Sequence, residues 1–236
     1  MKKRILSILL LCCMVLTLLP TTVLAADGPM DTIPKYDVSI DVYNRTSDIS
    51  IKDSRSYYIY SSVPDKLRDT WAWDKKIFIK GDKTAPHVFI DGVNIKMSPS
   101  SKGPAIELNK KASAYLYFIG KDSTLQGADG RAAIQKNRSE GQLYVLARTG
   151  TTVTCKGGDK AAGIGGNWAT RNIAESLFNL DMYGHGANMH FGSQTNPSLW
   201  SGTIIAKGGD GGAGIGGGRN GSGEKLYFYS GKIEAK

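Results

Sequence analysis

Residues 152–167, TVTCKGGDKAAGIGGN, return at residues 203–218 as TIIAKGGDGGAGIGGG, with 10 of 16 positions identical. A third start, KIEAK at 232–236, matches TIIAK. A fainter relative lies upstream, where Gly127, Asp129, Ala132 and Ile134 fall in the frame of Gly157, Asp159, Ala162 and Ile164 and of Gly208, Asp210, Ala213 and Ile215. The shared frame is G-x-D-x-x-A-x-I. Short strand-like units that repeat at fixed spacing mark a stacked architecture, in which each unit buries its apolar side against the next.

The spacing sets the coil. Ile106, Ile134, Ile164 and Ile215 occupy matching positions 28, 30 and 51 residues apart, and Ile204 to Ile233 is 29. About 28–30 residues hold three short strands and three turns at about 3.3 Å per residue, so successive coils would stack in parallel register. The reading is all-β: a right-handed parallel β-helix, or solenoid. The 51-residue step is one coil plus about 22 residues, and it predicts an insertion near 168–200, read as an outward loop or flap between Trp168 and Trp200.

Alternation along each strand assigns the faces. With Val153, Ile204 and Ile233 inward, Cys155, Ala206 and Ala235 are inward too. Cys155 thus fills an alanine slot, where a small thiol packs as a hydrophobe. Thr152, Thr154 and Lys156 face outward, as do Thr203 and Lys207 in the next coil.

The first residues have the form of a secretory leader: Lys2, Lys3 and Arg4, an apolar run from Ile5 to Leu19, then small residues up to Ala25 and Ala26. The expected organisation is a signal peptide over 1–25, an N-terminal strand and cap region over 26–75, and β-helix repeats over 76–236 that break off in an unfinished coil. That unfinished edge predicts end-to-end continuation or self-association. No membrane span is expected after leader cleavage. Without the leader, 27 Lys and Arg stand against 21 Asp and Glu, a net charge of about +6. A basic protein outside the cell meets acidic polymers, and no nucleic-acid-binding module is read in the chain. Two of the three cysteines leave with the leader, so Cys155 has no partner for an intramolecular disulfide and the core rests on packing.

The candidate chemistry follows from these faces. Residues 212–217, GAGIGG, match the dinucleotide fingerprint in form, but Gly218-Arg-Asn-Gly-Ser-Gly cannot start the helix that fingerprint needs. The glycines instead suit tight corners. Lys156 and Lys207 stack as one outward column, and Asp129, Asp159 and Asp210 as another. The aspartates form local turns, pair with lysine, or hold calcium. Trp168 and Trp200 bracket the insertion, where an exposed indole stacks on a sugar ring and a buried one pins a loop. The ligand-binding candidates are Lys156, Lys207, Thr152, Thr203, Trp168 and Trp200, and the metal candidates Asp129, Asp159 and Asp210. His185 and His190 lack the companions a zinc site needs. No catalytic residue is assigned, because Asp122, Glu140 and Asp181 are scattered rather than paired.

The stretches HVFIDGVNIKM (87–97), GPAIELN (103–109), STLQGADGRAAI (123–134) and the two glycine-rich repeats resemble secreted proteins of Gram-positive, clostridial-type anaerobes. Those proteins carry a β-helical carbohydrate-binding domain with GGxGAGIGGG repeats. The similarity runs from about Ile49 to Lys236. The resemblance implies non-catalytic binding of polysaccharide or cell-wall polymer, acidic polysaccharide with calcium in some relatives. A structural stalk or adhesin segment of a larger surface protein is the alternative, and a polysaccharide lyase or glycoside hydrolase a more distant one.

Overall fold

The computed structural model describes residues 35–98, 103–108, 111–137, 140–169 and 184–236. The leader read over 1–25 lies outside them. The described residues form short strands in three sheets, with one 3-10 turn at Asp65–Leu67. The seven-stranded sheet orders β1 (Val38–Asp41), β3 (Ser56–Tyr60), β5 (His87–Asp91), β8 (Ala114–Ile119), β11 (Leu143–Ala147), β14 (Gly186–Phe191) and β17 (Gly223–Phe228). The six-stranded sheet holds β2 (Ile49–Ile51), β4 (Ile77–Ile79), β7 (Ile106–Leu108), β10 (Ile134–Gln135), β13 (Ile164–Gly165) and β16 (Ile215–Gly216). The five-stranded sheet holds β6 (Asn94–Lys96), β9 (Ser123–Gln126), β12 (Thr152–Lys156), β15 (Thr203–Lys207) and β18 (Lys232–Ala235).

From β8 onward the chain visits the seven-, five- and six-stranded sheets in turn, and every strand pairs in parallel with its counterpart one circuit away. This is the topology of a parallel β-helix. Ile106, Ile134, Ile164 and Ile215 are direct register partners, and so are Val153, Ile204 and Ile233. The repeat therefore reports the stacking directly. Inside, Ile106, Ile134, Ile164, Val153 and Cys155 are fully buried. Each such aliphatic side chain contributes about 1.5–3 kcal/mol through removal from water.

Corners explain the glycines. A Cβ added at Gly209 would collide with the carbonyl oxygen of Gly158, and one at Gly158 with that of Ala128, because consecutive coils touch backbone to backbone there. At the neighbouring corner position Gly130, Lys160 and Gly211 all take left-handed φ of 72°, 61° and 74°. Lys160 alone has a side chain to strain, at a cost of order 1 kcal/mol.

Two expectations about organisation change. The 168–200 insertion is not a single outward flap, because β14 lies within it and takes its place in the seven-stranded sheet between β11 and β17. The extra length is divided. Ile164 to Met189 spans 25 positions where Ile134 to Leu143 spans nine, and a smaller excess follows β14. Residues 170–183 of this segment lie outside the described set. The coils also begin earlier than 76, since β1, β2 and β3 already pair in two of the sheets. Near that end Trp73 is buried and its Nε1 donates to the Arg45 carbonyl at 2.8 Å, with Tyr43 edge-on to Trp71 at 5.4 Å. Among the described residues no helix is long and apolar enough to cross a membrane.

Candidate functional site

The outer face of the five-stranded sheet carries the predicted lysine column. Lys156 and Lys207 are direct register partners, Gln126 and Lys96 continue the row on one side, and Lys236 follows β18 on the other. The Lys236 amide donates to the Ala206 carbonyl at 2.9 Å, which sets that residue beside Lys207. Thr152, Thr203 and Lys232 form a parallel row four residues back along each strand, separated from the first by Thr154, Ile205 and Glu234. Lys156 and Lys207 are exposed, Thr152 and Thr203 half-buried. The strands bring Lys156 and Lys207 to a backbone spacing of about 4.8 Å. Two cations at such range repel by about 1 kcal/mol in water, which long side chains relieve by splaying. Among the described residues neither has an ion pair.

The last coil relieves its own charge differently. Glu234 bonds Lys232 at 2.8 Å and Lys236 at 2.9 Å. These contacts, the Lys232 hydrogen bond foremost, hold its carboxyl down at about 2.

Asp129, Asp159 and Asp210 stand at successive corners, and Asp159 pairs with Lys160 at 3.0 Å. Among the described residues no group of three or more His, Cys, Asp or Glu side chains is placed to hold a metal ion, these aspartates included. Asp122 serves the backbone instead, accepting the Thr152 amide at 2.7 Å. Asp181 lies outside the described residues.

The two tryptophans are separated in role. Trp168 is 39% exposed, with the Lys160 Nζ 4.5 Å from its ring centroid. Trp200 is 1% exposed and leans on Tyr117 at 5.1 Å, so its ring is a packing element and not the sugar platform that the sequence suggested. The physical reason is its position: the chain between β14 and β15 folds over the outer side of the seven-stranded sheet.

That outer side holds a feature sequence reading missed. His87, Tyr115, Tyr144, His190 and Tyr227 are register partners across five strands. Their rings stack at 4.5, 4.5, 4.4 and 4.7 Å, within 16° of parallel. His190 is therefore a rung in an aromatic ladder. Its Nδ1 lies 3.0 Å from the Tyr229 hydroxyl and its Nε2 2.9 Å from Gln142 Oε1, and burial pushes its pKa down. His185 instead meets Ser222, with Nδ1 2.7 Å from the hydroxyl. Cys155 is buried, and the loss of solvation pushes its thiol pKa up, away from thiolate chemistry. Lys136 is buried too, donating to the Asn137 carbonyl at 2.8 Å, with its pKa lowered by burial to about 8.

No family model, curated protein or solved structure matches this chain.

Proposed function

We propose that the chain is a secreted or cell-surface, non-catalytic carbohydrate-binding β-helix whose ligand is an acidic polysaccharide. The observation that carries this reading is the stack of Lys156 on Lys207, exposed and without ion pairs among the described residues. Uronate or phosphate groups of an extended polymer would neutralise that column, through charge-assisted hydrogen bonds stronger than those between neutral groups. The threonines at 152 and 203 supply hydroxyls beside it. Trp168, with one cation over its ring, adds an apolar edge at a neighbouring corner.

The leader read in residues 1–25 supports an extracellular site of action, and the basic net charge supports attraction to polyanions. The test is titration calorimetry of the protein with oligogalacturonate and with a neutral glucan. The expected result is binding of the acidic oligomer alone, weakened at least about tenfold, or 1.4 kcal/mol, by Lys156→Ala with Lys207→Ala. Unchanged affinity in that double variant removes the column from the site. Absence of binding to any glycan favours the rival reading, a stalk segment that spaces a neighbouring module, to which the regular stack of coils is equally suited.

A further inference from the structure

The row that holds Lys156 and Lys207 runs further along the stack than that pair. Lys96 in β6 is the register partner of Gln126 in β9, and Gln126 that of Lys156 in β12, so four successive strands carry Lys96, Gln126, Lys156 and Lys207 on one line. This line crosses the strands and follows the axis of the solenoid. Lys96, Lys156 and Lys207 are exposed and Gln126 is half-buried. None of the three lysines has an ion pair among the described residues. Along the strands the charge is not repeated, because the other outward positions of β9, β12 and β15 hold Thr124, Thr152, Thr154, Thr203 and Ile205. At its near end the line meets an anion: Trp73 bridges Ile95, and Asp74 follows it at the place beside Lys96.

We infer that the acidic glycan lies along the axis of the stack, crossing coil after coil from Lys96 to Lys207, and that it is an extended, linear polyuronate. This rests on the binding function proposed above and adds the path and the kind of polymer. The charge distribution selects the path. A chain laid along one strand passes a single lysine and then only hydroxyl and apolar groups, whereas a chain laid along the axis meets three cations. Three steps of about 4.8 Å separate Lys96 from Lys207 by about 14 Å, beyond the roughly 8 Å over which charges interact at physiological salt. One carboxylate therefore cannot serve both ends, and the ligand carries several anions on an extended backbone. A sugar unit of a linear polyuronate is about as long as one coil step, so about four units cover the line. Thr124 and Thr154, register partners one row back and half-buried, offer hydroxyls to the hydroxyls of the sugar. The line holds no aromatic ring of the kind on which the bases of a single-stranded nucleic acid stack, which favours the glycan.

Titration calorimetry of the whole chain with galacturonate oligomers, from the dimer to the octamer at fixed salt, tests the path. Affinity is expected to climb steeply up to about four units and little beyond. Lys96→Ala is expected to weaken the hexamer about threefold, the scale of an exposed ion pair, while the dimer, which the adjacent lysines 156 and 207 hold, changes less. Gln126→Lys fills the gap in the line and is expected to tighten the hexamer about threefold, a gain that a misfolded protein cannot produce. Equal affinity for dimer and hexamer overturns the axial path, as does a hexamer indifferent to both variants. Tighter binding of a single-stranded DNA of the same charge than of the hexamer overturns the glycan as the occupant. Loss of binding to every oligomer is a distinct result, which removes the proposed function and this path with it.

Discussion

Cys155 fills a place that Ala206 and Ala235 take in the next two coils, and its sulfur is fully buried. Cys155→Ala is therefore expected to cost about 1 kcal/mol in chemical denaturation, near the small end of core truncations. The native thiol is expected to resist a disulfide reagent until the protein unfolds, a contrast that a thiol titration with and without denaturant reads directly. His190 behaves in the opposite way to a surface histidine. Burial lowers its pKa, so the fold prefers the neutral ring. Its stabilising contribution is complete above the ordinary histidine range, and it is lost as pH falls through the lowered folded value. Midpoints of thermal unfolding measured from pH 8 to about 4 should fall on the acid side, and His190→Phe, which keeps the ring stack, should flatten that limb.

At the scale of strands, depth along the stack decides what a side chain is worth. Ile164 in β13 is flanked by Ile134 and Ile215 and fully buried, whereas Ile215 in β16 is partly buried and pairs on one side only among the described residues. Ile164→Ala is expected to cost about 2–5 kcal/mol and Ile215→Ala clearly less, as measured by urea unfolding. The sequence made this column legible because the frame G-x-D-x-x-A-x-I spans the corner between the five- and six-stranded sheets, where close backbone contact restricts the residues allowed. Along the seven-stranded sheet such close contact acts at few positions, as at Gly186, where a Cβ would collide with the Gly216 carbonyl. Its strands otherwise require only an inward apolar alternation, so Met189-His-Phe191 of β14 shares no residue with Leu143-Tyr-Val and only Phe with Leu226-Tyr-Phe228. The aromatic ladder stayed hidden for the same reason. Its rungs Tyr144, His190 and Tyr227 are 46 and 37 positions apart, which no single period captures. The lysine column was legible and is formed. The burial of Trp200 was not, since it depends on which sheet the turn after β14 folds against.

Across the whole stack, pairing on one side or on both should set the order of unfolding. A chain of coils that contact only their neighbours loses structure from its least covered end. Hydrogen exchange is expected to be fastest in β1, β2, β16, β17 and β18, which pair on one side only among the described residues, and slowest around β8 to β12, where strands are paired on both sides. Uniform protection along the chain would show instead that the coils unfold as one unit. The uneven circuit around β14 carries a different consequence. Ile164 and Ile215 keep register across 51 positions as faithfully as Ile134 and Ile164 do across 30. The corner between the six- and seven-stranded sheets thus tolerates added chain without disturbing the strands before or after it. For protein engineering it is a ready graft point, where a foreign loop or small domain can be spliced while the scaffold around it stays unchanged.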